Sequence, residues 1–177
     1  MAVTHPLLRL SPRDDDGNVN LVVETPRGSV HKLAFDDARG VFVLKKALPA
    51  GMTFPFDFGF VPRTKAGDGD PLDVLVLLDG ATPPGVLVTS RLVGVIEAEQ
   101  REEGKRPVRN DRLIAVGTLS RLFGRVHALD QLPRELVDDL ERFFVGYATA
   151  LGKDFRPLGR AGAERAGALL DEAAARA

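Results

Sequence analysis

The stretch Gly67-Asp68-Gly69-Asp70-Pro71-Leu72-Asp73, followed at once by Val74-Leu75-Val76-Leu77-Leu78, decides the interpretation of this sequence. Its three carboxylates fall within six residues, directly before an apolar run that predicts a buried strand. Gly69 permits a tight turn, and Pro71 stiffens the exit from it. Such a loop can aim several carboxylate oxygens at one point, and hard divalent cations such as Mg²⁺ prefer oxygen ligands. The stretch therefore predicts a metal-binding loop leading into a core strand.

Other interpretations of this acidic loop compete with a metal site. An EF-hand needs Gly at its sixth position and Glu at its twelfth, but counting from Asp68 these positions hold Asp73 and Asp79. An aspartyl nucleophile of the phosphatase type usually follows an apolar strand, whereas these residues precede one. A plain solvated turn stays open from the loop alone, because Asp-Gly pairs are common in turns.

The composition of the whole chain narrows the class of protein. Its 177 residues fit one domain, residues 1–177, with residues 1–16 expected to form a loose N-terminal arm. The absence of Cys excludes disulfides, thiolate zinc sites and a cysteine nucleophile. A net charge of -1 gives no broad attraction to nucleic acid or to an anionic membrane. The longest apolar run is too short to span a bilayer and no signal peptide is recognisable, so we expect a cytoplasmic protein.

Short β-prone runs occupy the first two thirds of the sequence, and helical patterns follow. The predicted strands are residues 19–24, 30–35, 41–45, 56–61, 74–78, 86–96 and 113–116. Apolar residues at spacings of three or four then predict a helix from Leu132 to Leu151, with Asp130 as its N-cap. A second helix is expected at about residues 163–176. Strands followed by helices indicate an α+β domain built on a barrel or sandwich.

The acidic loop and its flanks resemble the soluble inorganic pyrophosphatase family. The run from Asp68 to Val74 fits that family's pattern Asp-x-Asp-Pro-hydrophobic-Asp-hydrophobic without a mismatch. Further matching segments are Val23-Glu24-Thr25-Pro26 with Lys32, Phe54-Pro55-Phe56-Asp57-Phe58-Gly59-Phe60-Val61-Pro62, Pro84-Gly85, Arg91-Leu92-Val93-Gly94-Val95, and Phe143-Phe144 with Tyr147. The resemblance covers roughly residues 19–172.

The resemblance implies a fold, an activity and partners. The implied fold is α+β, an OB-like five-stranded β-barrel with two main α-helices, and bacterial members are often homohexamers. The implied activity is Mg²⁺-dependent hydrolysis of pyrophosphate to two phosphates through a metal-activated water. We therefore expect pyrophosphate, phosphate and further copies of this chain as partners, with neither nucleic acid nor membrane.

The resemblance also assigns roles to residues by position. Asp68, Asp70 and Asp73 are the expected metal carboxylates, and Asp70 is also the expected base toward the attacking water. Asn110 stands where the family has a metal-binding Asp, with Asp111 one place later, so either could be the ligand. The residues expected to contact substrate or its cations are Glu24, Lys32, Lys46, Arg112 and Tyr147.

Several positions depart from the family pattern. The departures are Ala34 for Glu, Lys46 for Arg, Phe54 and Phe58 for Tyr, Gln100 and Asn110 for Asp, Arg112 for Lys, and Ala148 for Lys. They remove charged side chains from around the expected metal site and hydroxyl groups from the expected phosphate-binding residues. An alternative hypothesis is therefore a degenerate pyrophosphatase-like protein that binds metal or phosphate with little or no turnover. A nucleic-acid-binding barrel is disfavoured, because the acidic loop beside the phenylalanines would repel phosphates.

Overall fold

A computed structural model describes residues 5–177 of the chain. Its strands are β1 (Val19–Thr25), β2 (His31–Asp36), β3 (Val41–Ala47), β4 (Asp57–Val61), β5 (Leu72–Leu77), β6 (Leu87–Glu102), β7 (Val108–Arg109), β8 (Arg112–Gly117) and β9 (Lys153–Gly162). Its helices are α1 (Pro6–Arg9), a short 3-10 helix (Leu129–Gln131), α2 (Arg134–Ala150) and α3 (Ala163–Ala175).

Five of the strands close into a ring. β1 pairs with β4, β4 with β5, β5 with β8, β8 with β6, and β6 returns to β1. The β5–β8 pairing is parallel and the other pairings in the ring are antiparallel. The ring and the two long helices confirm the predicted α+β class, an OB-like five-stranded barrel with two main helices.

The unbroken apolar sequence of β5 is explained by burial on both of its faces. Leu75 and Leu77 belong to one core cluster, which also contains the buried face of α2. Val74 and Val76 belong to a second cluster, which contains the buried face of α3. Because alternate side chains of a strand point to opposite faces, a strand covered on both sides reads as continuous hydrophobic sequence.

Helix α2 starts later than the sequence predicts. Asp130 lies inside the 3-10 helix, and Leu132 has an extended backbone with ψ 147, which interrupts the helical path. Pro133 is the residue that precedes the first turn of α2, so Asp130 is not its N-cap. The predicted apolar stripe is correct in part. Leu132, Leu140 and Tyr147 are buried, whereas Leu136, Phe143 and Leu151 are partly buried. Val137 and Phe144, which were not part of the predicted stripe, are buried as well.

The charged segment 97–109, which follows the predicted strand 86–96, is largely β-structure. β6 continues to Glu102, and its last residues pair with the antiparallel strand β9, which the sequence analysis missed. Oppositely charged side chains meet across this ladder: Arg156 with Glu99 at 3.1 Å and Lys153 with Glu102 at 3.1 Å. Cross-strand charge pairs of this kind let a polar sequence form a strand.

The part of the predicted N-terminal arm that the structure describes packs against the rest of the chain. The backbone N–H of Asn20 donates to the carbonyl of Pro12 at 3.0 Å, and Arg13 forms an ion pair with Asp171 of α3 at 3.0 Å. Residues 1–4 of the arm lie outside the described residues. No helix within residues 5–177 combines the length and apolar character needed to cross a membrane.

Candidate active site

A cleft of about 410 Å³ opens where the β2–β3 hairpin, the acidic loop and the end of α2 meet. It brings together most of the residues that the sequence analysis singled out. Its polar and charged lining consists of Glu24, Lys32, Asp37, Lys45, Asp68, Asp70, Asp73, Gln100, Asn110, Arg112, Tyr147 and Lys153.

The acidic loop is a tight turn stabilised by its own hydrogen bonds. The backbone N–H of Ala66 donates to the carbonyl of Asp70 at 2.8 Å. Gly69 has a φ of 93, a conformation that residues with a side chain rarely adopt. The N–H of Asp70 donates to Oδ1 of Asp68 at 3.2 Å. This geometry places both carboxylates on the same cleft.

The carboxylate of Asp68 is electrostatically disfavoured where it lies. Although the residue is exposed at the mouth of the cleft, the protein atoms around it raise the pKa of Asp68, mainly by desolvation. The neighbouring charge of Asp70 raises this pKa further, while Arg112 opposes the shift. A carboxylate crowded by another carboxylate gains from a cation placed between them.

Asp73 is partnered differently from the other two aspartates. It lies in β5, and its Oδ2 accepts a hydrogen bond from Nη1 of Arg112, the first residue of β8. The parallel pairing of β5 with β8 brings these strand starts together, with Val74 opposite Leu113. One oxygen of the third predicted metal carboxylate is therefore bound to a protein cation.

Arg112 is a buried cation in an aromatic setting. Its guanidinium carbon lies 5.8 Å from the ring centre of Phe58, 5.4 Å from Phe144 and 5.5 Å from Phe155. Desolvation lowers the pKa of Arg112 to about 10, and Nε is buried without a hydrogen-bond partner among the described residues. Phe58, a departure from the family pattern, forms one wall of this box.

Glu24 and Lys32 form a second ion pair at the cleft. Nζ of Lys32 lies 3.1 Å from Oε2 of Glu24, and the backbone N–H of Phe35 donates to Oε1 at 2.8 Å. Burial lowers the pKa of Lys32, and Glu24 counteracts this shift. Lys32 also lies 4.4 Å above the ring of Phe58. The pair positions one ammonium group at the cleft, as predicted for a phosphate-binding lysine.

Lys45, and not the predicted Lys46, lines the cleft among the described residues. In the β2–β3 hairpin Lys32 pairs with Lys46 and Leu33 pairs with Leu44, so Lys45 is the extra residue of a β-bulge. A bulge changes the direction in which side chains point along the strand. The structure therefore places Lys45 at the cleft and Lys46 beside it, and a substrate role for either lysine stays a prediction.

Asn110, and not Asp111, lines the cleft. Oδ1 of Asp111 lies 2.7 Å from Nη2 of Arg109 and accepts the backbone N–H of Ala98 at 3.0 Å. Through these two contacts, the carboxylate of Asp111 links β7 and the start of β8 to β6. Of the two candidate ligands, the geometry favours Asn110, and the ligand role of either residue stays a prediction.

Tyr147 reaches the cleft from the last turns of α2. Burial raises the pKa of Tyr147 to about 12, so its phenol is a hydrogen-bond donor at neutral pH. Lys153 lines the same wall at the start of β9, where it also contacts Glu102. Ala34 and Gln100 also line the cleft. Both are uncharged at positions where the family pattern has an acidic residue.

Leu8, Phe35, Asp37 and Lys45 also line the cleft, although no sequence pattern predicts a role for them there. The ring of His5 lies 4.7 Å from the ring of Phe35, which brings α1 and its Leu8 to the cleft. No local signal predicts this contact, because it depends on the arm folding back onto the hairpin. Lys45 could have been found only by predicting the bulge.

The donor set fits a divalent ion that is shared with a phosphate ligand. Within residues 5–177 no three acidic or imidazole side chains are grouped closely enough to form a complete metal site. Mg²⁺, however, is commonly held by one or two carboxylates together with substrate phosphates and water. Asp68 and Asp70 can supply such carboxylates. Both line the cleft, and neither takes part in the ion pair of Asp73 with Arg112.

Comparisons with known proteins agree on one family. The family model described as inorganic pyrophosphatase matches residues 21–177. The inorganic pyrophosphatase of Halalkalibacterium halodurans is 35% identical over 158 residues, covering 89% of this chain and 94% of that protein. The crystal structure of inorganic pyrophosphatase from Thermus thermophilus superposes with a TM-score of 0.87 at 30% identity, covering 96% of this chain and 97% of that one. An inorganic pyrophosphatase structure from Neisseria gonorrhoeae gives a TM-score of 0.84 at 30% identity, with coverage of 95% and 96%.

Proposed function

The chain belongs to the inorganic pyrophosphatase family, and from that premise we propose that it hydrolyses pyrophosphate to two phosphates in the cleft, with Mg²⁺ as the metal. One observation carries the assignment of the site: the aspartates of the acidic loop face a set of protein cations across a single cleft. Carboxylates suit the metal, and cations suit the phosphate oxygens.

In this proposal, cationic side chains that the fold holds in place contribute most of the binding of pyrophosphate. Lys32 and Arg112 are fixed by ion pairs with Glu24 and Asp73, and Lys45 and Lys153 approach from the rim. Because these charges are already oriented, they stabilise the charge that develops on the leaving phosphate without reorganising.

Asp70 is the proposed base. Its carboxylate lines the cleft beside that of Asp68, and the backbone N–H of Asp70 donates to Oδ1 of Asp68 at 3.2 Å. A water oxygen attacks one phosphorus, its proton passes to Asp70, and the bridging P–O bond breaks with its electron pair on the departing phosphate. Asp68 and Asp70 would hold Mg²⁺, and the bound ion would neutralise phosphate charge and lower the pKa of nearby water.

Phosphate release from pyrophosphate, measured colorimetrically with Mg²⁺ and with a chelator, tests this function. We expect Mg²⁺-dependent release, and a turnover about 10² to 10⁴ lower in Asp70→Asn because the amide cannot accept the proton. Asp15→Asn, an exposed aspartate in the N-terminal turn, is the matched control and should keep wild-type turnover. Wild-type turnover in Asp70→Asn at saturating Mg²⁺ excludes the assigned base.

The alternative, a degenerate protein that binds without turnover, is not favoured by the relatives. Ala34, Gln100 and Asn110 leave fewer charges at the cleft, which is the observation in its support. Pyrophosphate binding by calorimetry without any phosphate release would establish it.

We also propose a homo-oligomer, as the family resemblance implies, and the cytoplasm as its expected location. Light scattering on the purified chain measures the assembly, and a mass equal to a single 19.1 kDa chain contradicts it.

A further inference from the structure

The N-terminal arm segment, residues 5–13, is attached to the rest of the chain at both of its ends. At its start, the ring of His5 lies 4.7 Å from the ring of Phe35 in the β2–β3 hairpin. At its end, the guanidinium of Arg13 lies 3.0 Å from a carboxylate oxygen of Asp171 in α3. These two contacts hold the residues between them against the barrel.

Leu8 lies between the two attachments and forms part of the cleft wall. Asp37 and Lys45, at the end of the β2–β3 hairpin and in its second strand, line the cleft with it. The side chain of Leu8 is partly buried and has no hydrogen-bonding group. A phosphate oxygen pressed against such a wall loses water and gains no hydrogen bond in return, which costs free energy.

The position of Leu8 matters because of the direction in which a longer substrate extends. In the proposed reaction, water attacks beside Asp70, and the departing phosphate faces Lys32 and Lys45 of the hairpin. Leu8 belongs to the same hairpin side of the cleft, since α1 packs on Phe35. A third phosphate group joined to the departing phosphate would therefore meet Leu8.

We propose that Leu8, held in place by the attached arm, is a specificity-determining residue that excludes a third phosphate group and so selects pyrophosphate over longer linear polyphosphates. This inference rests on the proposed function for the reaction in the cleft. The discrimination comes from the absence of a partner, because the charge of the third group would leave water and stay unpaired at the apolar wall. Pyrophosphate does not extend to this wall.

Initial rates of phosphate release from pyrophosphate and from linear tripolyphosphate, both with Mg²⁺, test the proposal through the ratio of the two kcat/KM values. Leu8→Ala should raise the ratio in favour of tripolyphosphate about tenfold or more, because it opens the wall. Leu8→Lys should raise the ratio at least as much, since it supplies a cation to the third phosphate. An unchanged or lower ratio in these variants, shown by circular dichroism to be folded, overturns the proposal.

Two control variants separate the apolar wall from the rest of the arm. Leu8→Met keeps an apolar side chain of similar volume and should keep the wild-type ratio. Arg9→Ala changes an exposed neighbour that does not line the cleft, and it should keep that ratio as well. A tenfold rise in either control overturns the proposal, because the ratio would then not depend on opening the wall at Leu8.

Failure of the proposed function gives a different result from failure of this inference. A wild-type protein that releases no phosphate from pyrophosphate refutes the pyrophosphatase function, and calorimetric titrations with the same two anions then measure the preference as binding. Leu8→Ala should raise the affinity for tripolyphosphate relative to pyrophosphate about tenfold or more. The same relative affinity in wild type and Leu8→Ala overturns the role of Leu8.

Discussion

Lys45 and Lys46 offer a matched pair of adjacent, exposed lysines of which one lines the cleft. Lys45→Ala removes a charge-assisted contact to phosphate, worth about 1.5–3 kcal/mol, so kcat/KM for pyrophosphate should fall about 10- to 100-fold. Lys46→Ala should leave kcat/KM within about twofold, since exposed charges away from the site matter little. Steady-state kinetics of the two variants measure the difference, and the reverse ranking would restore Lys46 as the substrate contact.

At Asn110, an amide group in place of a carboxylate is expected to weaken the binding of Mg²⁺. It is buried at the cleft where the family pattern has Asp, and an amide oxygen attracts Mg²⁺ less than a carboxylate does. Asn110→Asp should therefore lower the Mg²⁺ concentration for half-maximal activity by about threefold or more. Asp111→Ala should leave that concentration unchanged, because its carboxylate is bonded to Arg109 and Ala98. An unchanged requirement in Asn110→Asp with a higher one in Asp111→Ala would make Asp111 the ligand.

Site residues could be predicted from the sequence where the chain follows a regular local pattern. The three aspartates, Lys32 and Arg112 were predicted to face one site, and the structure places all of them on the cleft. Alternation along a strand places neighbouring side chains on opposite faces, and Asn110 lines the cleft whereas Asp111 does not. The same rule failed at Lys45, because a single extra residue in the hairpin shifts every later side chain by one position.

At the level of the strands, Gly59 of β4 lies opposite Val23 of β1 and against the backbone of that strand. A Cβ added there would lie 2.0 Å from the carbonyl oxygen of Val22, which is backbone and cannot move aside alone. Gly59→Ala should reduce the free energy of unfolding by about 1–3 kcal/mol or more in denaturant titrations. Gly159→Ala, in β9 with open space around it, is the control and should be neutral or slightly stabilising. Equal stabilities of the two variants would show that the barrel relaxes at β4.

The strands that the sequence failed to predict share one property. β9 contains Pro157, two glycines and several charges, and β7 has only two residues. Neither has apolar alternation, since their stability comes from pairing with the long β6 rather than from a buried face. The barrel strands and both long helices were predictable because each carries its own hydrophobic pattern.

The whole molecule contains one tyrosine and no tryptophan, so its tyrosinate absorbance reports on Tyr147 alone. Burial raises the pKa of Tyr147 to about 12 from its ordinary value of 10.0, with Arg112 opposing the shift. A spectrophotometric titration of the native protein should give an apparent pKa near that raised value, and one in concentrated denaturant should give the ordinary value. A single ordinary pKa in both states would place the phenol in solvent.

The same shift makes the stability of the fold depend on alkaline pH. A raised pKa means that the native state favours the neutral phenol, so its contribution is complete below pH 10.0 and is lost as pH rises through about 12. The loss amounts to about 2–3 kcal/mol at most. Unfolding free energies measured across this range should fall more steeply in wild type than in Tyr147→Phe. Parallel curves would assign the alkaline loss to other groups.

The contact of α1 with the β2–β3 hairpin has a practical consequence for anyone who purifies this protein. Leu8 forms part of the cleft wall and His5 lies against Phe35, so an affinity tag or fusion partner joined ahead of His5 emerges beside the opening. The carboxyl end follows α3, and no described residue of α3 lines the cleft. Tags, dyes and attachment to a sensor surface therefore belong after Ala177, where they leave the entrance clear for the assays above.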